Sequence, residues 1–216
     1  MPLRSIFNDL QHKKQEVDII CKHLSKIERL TGNAKLCALL KSACCIILYN
    51  AVESTVFYTL NIVHENLSQK TYKNLSEYQK KIFVIRYFER CKSEQHLENL
   101  NSTIDCTLKF PLFSDYMNFD KMFSGNLDVR KINKILKKYG VKFLIDEKYS
   151  NSFLYIKTIR NKLAHGESSF STTCRNYTVS EIESISNDIF TSLELMVQKI
   201  NDYIIDCIPT NMAING

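Results

Sequence analysis

Arg160, Asn161 and His165 stand in the run Arg-Asn-Lys-Leu-Ala-His, directly before Gly166 and at the end of an amphipathic stretch that begins at Ser152. On a helix advancing about 100° per residue, Asn161 and His165 share a face. Arg160 then lies roughly 100° from the first and roughly 140° from the second. One broad arc holds a cation, an amide and an imidazole, while Ile156, Ile159 and Leu163 form the opposite stripe, which packs inward. That grouping suits a phosphodiester. A guanidinium offers a fork of donors matched to phosphate oxygens and to charge growing in a transition state. An imidazole, which titrates near neutrality when free, can accept or release a proton. The amide can orient the ring or bond the phosphate. Arg, Asn and His before a glycine are also ordinary residues for closing a helix, so spacing alone leaves a structural cap as the alternative.

The composition offers no rival chemistry. There is no Cys-x-x-Cys pair, and the five His do not cluster with Cys at ligand spacing, so neither a metal nor another cofactor is expected. Of the eight Cys, Cys21, Cys37, Cys44 and Cys45 fall in helical apolar patterns and read as small hydrophobes, not as a disulfide framework. No signal peptide opens the sequence, and the expected compartment is a reducing cytoplasm. The most apolar region, Leu36 to Val63, is interrupted by Lys41, Asn50 and Glu53, so its uncharged runs fall short of the ~20 residues of a membrane span. A net charge of +6 is compatible with a nucleic-acid partner without demanding one.

The elements that must position the motif are helical. Only five Gly and three Pro in 216 residues, with 44% hydrophobic content, predict an all-α, up-and-down helical bundle with a real core. Apolar periodicity places helices at about 5–30, 34–66 and 76–101, the third with Tyr78, Ile82, Ile85, Phe88 and Leu97 as its apolar stripe. A mid-chain irregular insert, about 104–147, contains Thr107-Leu-Lys-Phe-Pro-Leu-Phe-Ser114, read as irregular or as a short strand. It also contains a short extra helix at about 126–139 and a brief extended piece from Val141. The motif helix follows, then a polar loop at 167–177. The last helix has a capping box at Ser180/Glu183 or at Thr178/Glu181. The reading is one domain, 1–208, with a flexible tail at 209–216.

Two further groups of residues could serve the motif. The helix at 34–66 is apolar on nearly every side, so Asn50 and Glu53 within it need partners. Glu53 is expected either to make a structural bond or to reach Arg160 and fix its orientation. Lys80, Lys81 and Arg86 give the third helix a basic side, and Arg130, Lys131 and Lys134 do the same for the short helix. Each is a solvated face or an RNA contact.

At this point the residues resemble a family. Arg160-Asn161-Lys-Leu-Ala-His165 matches the Arg, polar residue, three variable positions, His motif of the HEPN superfamily. Ile46-Ile-Leu-Tyr-Asn-Ala-Val-Glu-Ser-Thr55 resembles the core helix of its MAE-like branch. So do Ser124-Gly-Asn-Leu-Asp128, Tyr139-Gly140, the run His165 to Phe170 and Asn176-Tyr-Thr-Val179. The resemblance implies a bundle that works as a homodimer, with two copies of the motif meeting across the interface. It implies a metal-independent endoribonuclease, often a toxin or phage-defence effector, with Arg160, Asn161 and His165 as catalytic residues. RNA would be the substrate, and an antitoxin or another defence protein a further partner. Other members are non-catalytic modules that bind RNA, nucleotide or protein, and that is the alternative. RNA carries its own nucleophile, the 2′-OH, so an enzyme of this kind has only to position it and manage protons and charge.

Overall fold

A single 34-residue helix, Ala34–Leu67 (α2), forms the axis on which the other elements are hung. Its sequence is apolar all round because its surroundings are protein on most sides: α1 (Arg4–Ile27), α5 (Phe113–Asp120), α7 (Ser150–Ala164), α8 (Phe170–Thr173) and α9 (Val179–Cys207) all pack against it. Between these lie α3 (Glu77–Tyr87), α4 (Ser93–Ile104) and α6 (Val129–Tyr139), with short 3₁₀ turns at Tyr72–Asn74 and Glu147–Tyr149. The computed structural model describes residues 3–88, 93–120 and 126–207. Within them the fold is an all-α bundle.

By length and composition α2 could cross a bilayer, which the interrupted apolar runs did not suggest. Its charged interruption is absorbed by the bundle: Lys41 is buried, with its ammonium on the Glu28 carboxylate and the Tyr177 carbonyl. Cys21, Cys37, Cys44 and Cys45 are buried free thiols in the core, as their apolar spacing indicated.

Several boundaries differ from expectation. The helix expected over 76–101 is two, α3 and α4. α3 is opened by a capping box in which the Ser76 side chain and Gln79 satisfy each other's backbone N–H groups. Of its expected apolar stripe Ile82 is buried, Ile85 and Phe88 pack partly against the core, Tyr78 is exposed and the side chain of Leu97 lies outside the described residues. The run around Pro111 is not a strand: it leads into α5 and buries Phe110, Phe113 and Tyr116. Thr178 and Glu181, not Ser180 and Glu183, make the box that starts α9. The polar loop after the motif contains α8. The expected tail at 209–216 and residues Ser124 and Gly125 lie outside the described residues.

The insert is tied to α2 at His64. Its Nδ1–H donates to the Pro111 carbonyl (2.7 Å), which can only accept, so Nε2 accepts from the Tyr139 hydroxyl (2.6 Å). Phe110, Phe113, Tyr116 and Tyr139 surround the ring at 5.0–5.6 Å between centroids. Burial in this cage pushes the imidazole down to about 4, with the Pro111 bond opposing, so it sits neutral in the core. At the end of α6, Gly140 adopts φ +76°, and a Cβ there would come within 2.6 Å of the Tyr78 ring. Only glycine satisfies both the left-handed turn and that approach.

Candidate active site

The motif lies in the last turns of α7, and the way that helix ends decides what each residue presents. Gly166 takes φ +69°, the Glu167 N–H bonds the Lys162 carbonyl (2.9 Å) and the Gly166 N–H bonds the Leu163 carbonyl (3.3 Å). This is a Schellman closure. It is built from backbone groups, so the His165 ring is not consumed in capping. The ring is exposed and has no hydrogen-bond partner among the described residues.

Arg160 behaves differently. By helical geometry it lies only about 40–60° from Ile156 and Leu163, so it borders the apolar stripe instead of sharing His165's exposure. Ile156 and Ile159 are buried, Leu163 half-buried, and Arg160 half-buried beside them. Its guanidinium carbon stands 5.3 Å from the centroid of the Tyr49 ring, on α2, and one of its nitrogens donates to Asn161 Oδ1 (3.2 Å). Asn161 passes the polarity on: its Nδ2 donates to Asn126 Oδ1 (3.0 Å). Arg160, Asn161 and Asn126 thus form one chain of donors and acceptors.

Tyr49 is the floor of this arrangement. It is fully buried, and its hydroxyl accepts from the Leu127 N–H (3.1 Å). Burial, opposed by that N–H and by Arg160 and reinforced by the Glu53 carboxylate, pushes the phenol up to about 12, so it stays a neutral hydroxyl under the guanidinium. Of the two expectations for Glu53, the ion pair with Arg160 is not formed. It is half-buried, and its charge acts on the Tyr49 hydroxyl, as that of Arg160 does with the opposite sign. Asn50, expected inside the core, is exposed; α2 leaves one edge open there. Phe153, on the same helix as the motif, is buried within its own chain.

The segment before α6 completes the frame. Asn126 takes the Asn161 amide, Leu127 takes the Tyr49 hydroxyl, and Asp128 takes Lys157 of α7 (2.7 Å) while capping α6 at the Lys131 N–H (2.9 Å). Burial alone would raise the Asp128 carboxyl. The Lys157 ammonium, the capped N–H and Arg130 outweigh it and hold the group below the usual carboxylate range. Three successive residues hold two helices. None of Tyr49, Asn126, Asp128 or Lys157 announced this role by residue type, though Tyr49 stands one turn before Glu53 in an otherwise apolar helix.

The basic residues separate into classes. Lys80 pairs with Glu77 (3.1 Å) and stands 5.8 Å from the Tyr72 ring centroid, Lys81 is exposed, and Arg86 is half-buried against Tyr87. On α6, Arg130 and Lys134 are exposed and Lys131 is half-buried. Among the described residues none of the three α3 cations bonds Arg160, Asn161 or His165, so the motif and the α3 face are separate features. No cluster of three or more His, Cys, Asp or Glu that could hold a metal occurs among the described residues.

What the site can do follows from these placements. A guanidinium held on an aromatic ring with donors to spare, an amide fixed by two neighbours and a free imidazole two turns or less apart suit an anion that must exchange protons. A family model described as MAE-like HEPN matches residues 2–206 of the chain. No curated protein and no solved structure matches it.

Proposed function

The chain belongs to the MAE-like HEPN family, and from that premise we propose that it is an endoribonuclease whose reacting groups are Arg160, Asn161 and His165. The observation that carries the reading is the contrast within the motif: Arg160 and Asn161 are fixed in a bonded frame, whereas His165 is exposed and unspent. A structural cap would use the imidazole; here the backbone closes the helix without it.

In the proposed reaction a base removes the proton of a ribose 2′-OH, and that oxygen attacks the adjacent phosphorus. The 5′-oxygen leaves and takes a proton from an acid. The products are a 2′,3′-cyclic phosphate and a 5′-hydroxyl. Arg160 neutralises charge on the phosphoryl oxygens, and Asn161 holds Arg160 and the phosphate in register. The nucleophile belongs to the substrate, so no metal is required to generate one. One motif supplies one imidazole, and a second copy of the chain supplies the other for the acid–base pair. Leu154 and Thr158, both exposed, share the α7 face of Asn161 and His165, which gives the second copy an apolar foothold beside the motif. A toxin or phage-defence effector, held in check by an antitoxin, is the biological setting that fits such an activity.

The test is incubation of the purified chain with RNA in EDTA, beside a His165→Ala variant, with sedimentation of both. Cleavage by the dimeric parent and its loss in the variant are expected. Cleavage that is absent from the parent or unchanged in the variant overturns the reading.

A further inference from the structure

Resting on the ribonuclease reading of the α7 site, we propose that the face of α6 carrying Arg130, Lys134 and Lys137 is the track for the RNA strand on one side of the scissile phosphate. α6 bears five cations, Arg130, Lys131, Lys134, Lys137 and Lys138, and no carboxylate of its own. The fold sorts them. Lys131 is half-buried, and Lys138 lies 5.2 Å from the centroid of the Tyr116 ring. Arg130, Lys134 and Lys137 are exposed, recur four and three residues apart on one face, and have no ion-pair partner among the described residues. All three line a single groove of about 490 Å³.

That groove is rigid where it matters. Asn133, between the cations, donates to the Ile145 carbonyl (2.9 Å) and accepts from the Ile145 N–H (2.8 Å), so the far wall is bonded to the helix. Of the wall's two carboxylates, Asp146 is occupied by capping the turn at Lys148 (2.9 Å) and by the Lys148 ammonium (3.6 Å). Three cations thus share the groove with two carboxylates, one of them paired with Lys148, leaving a net positive channel. At ~1.5 Å per residue the stripe runs ~10 Å, on the order of three phosphates of a single strand.

Its relation to the motif is fixed by bonds already described. α6 begins at Asp128, which holds Lys157 of α7, and two residues earlier Asn126 holds Asn161. Arg130, the first cation of the stripe, lies close enough for its charge to act on the Asp128 carboxylate. A strand whose phosphate sits at Arg160 therefore meets the start of the stripe next. An RNA backbone is the occupant favoured by charge and by this continuity. The track reads phosphates, so it supplies affinity and register without sequence preference.

The experiment uses the full chain carrying His165→Ala, so that RNA is bound and not cut, and a labelled single-stranded RNA oligonucleotide titrated at several KCl concentrations. Into this background go Arg130→Gln, Lys134→Gln and Lys137→Gln together. A control removes the same charge from exposed lysines elsewhere: Lys22→Gln, Lys26→Gln and Lys35→Gln. The track variant is expected to bind at least ten-fold more weakly than the control. The slope of log affinity against log salt should be shallower by about 2, at ~0.7 per lost phosphate contact. Equal affinity and slope in the two triple variants overturn the track. So does failure of the His165→Ala chain to bind RNA at all. Cleavage assayed with His165 intact keeps the two proposals apart. If the track variant cuts as fast as the control and still depends on His165, the track is wrong and the ribonuclease reading stands.

Discussion

Tyr49 and His64 lie about four turns apart on α2, both fully buried, and each carries a polar atom into the core. Each ties α2 to the insert by one bond to a backbone group, Tyr49 to the Leu127 N–H and His64 to the Pro111 carbonyl. Their surroundings differ. His64 is caged by four aromatic rings and meets no charge, so its polarity serves to hold the insert in register. Tyr49 lies under the Arg160 guanidinium and also feels the Glu53 carboxylate, so the same kind of tie bears on a charged group that stays half-exposed. A buried hydrogen bond stabilises either end, but only the one beside charge bears on chemistry.

The sharpest way to break this comparison is to remove groups at the site end that do no structural work. His165→Ala should lower RNA cleavage by about 10²–10⁴-fold and leave the urea midpoint almost unmoved, because the ring is exposed and unbonded. A large loss of stability would return the motif to the status of a cap. At the other end the pattern inverts. His64→Ala removes the bonds to the Tyr139 hydroxyl and the Pro111 carbonyl and opens a cavity among the aromatic rings, and should cost about 2–4 kcal/mol in urea unfolding while cleavage per folded molecule is retained.

His64 also predicts a pH effect of definite sign. Its folded pKa, about 4, lies below the ordinary 6.5, so the unfolded chain binds the extra proton between those values. This stabilisation is complete above pH 6.5 and is lost as pH falls toward 4, up to on the order of 3 kcal/mol. Unfolding curves at pH 7 and pH 5 should show the loss, and the His64→Gln chain should show a flatter dependence. A smaller effect is expected for Asp128→Ala, which removes the α6 cap and the Lys157 partner: about 1–2 kcal/mol together with slower cleavage, since Asn126 and Leu127 lose their anchor. Smallest of all, Tyr49→Phe keeps the ring under Arg160 and deletes one acceptor. Calorimetry should find about 1 kcal/mol, with a fall in cleavage of a few-fold. A Tyr49→Phe chain that loses stability but no activity would make the two ends of α2 equivalent.

The sequence made one of these ends visible and hid the other. Periodicity and composition located α1, α2, α6, α7 and α9, because their apolar spacing or unbroken burial survives in the linear chain. It overran α3, where no proline or glycine marks the stop after Tyr87, and it missed α8, four residues inside a polar stretch. Arg160, Asn161 and His165 were legible because they share a short helical spacing. The frame around them was not, since it is assembled from residues far apart in sequence: Tyr49 lies 78 residues from Leu127, and Asn126 lies 35 from Asn161. The segments that carried the family resemblance, 46–55 and 124–128, turn out to include the residues that grip the motif helix. The resemblance pointed at the frame without revealing its bonds. Glu53 illustrates the limit: its place on α2 suggested a charged partner or a structural bond, and only three-dimensional packing brings its charge to bear on the Tyr49 hydroxyl.

The central claim is that this frame serves attack by a 2′-OH on its neighbouring phosphate, and the ends of the cut RNA test it most directly. Products formed in EDTA should carry 2′,3′-cyclic phosphate and 5′-hydroxyl termini by mass spectrometry, and should vanish with His165→Ala. Fragments ending in 3′-hydroxyl and 5′-phosphate, or intact RNA after prolonged incubation, would contradict the account.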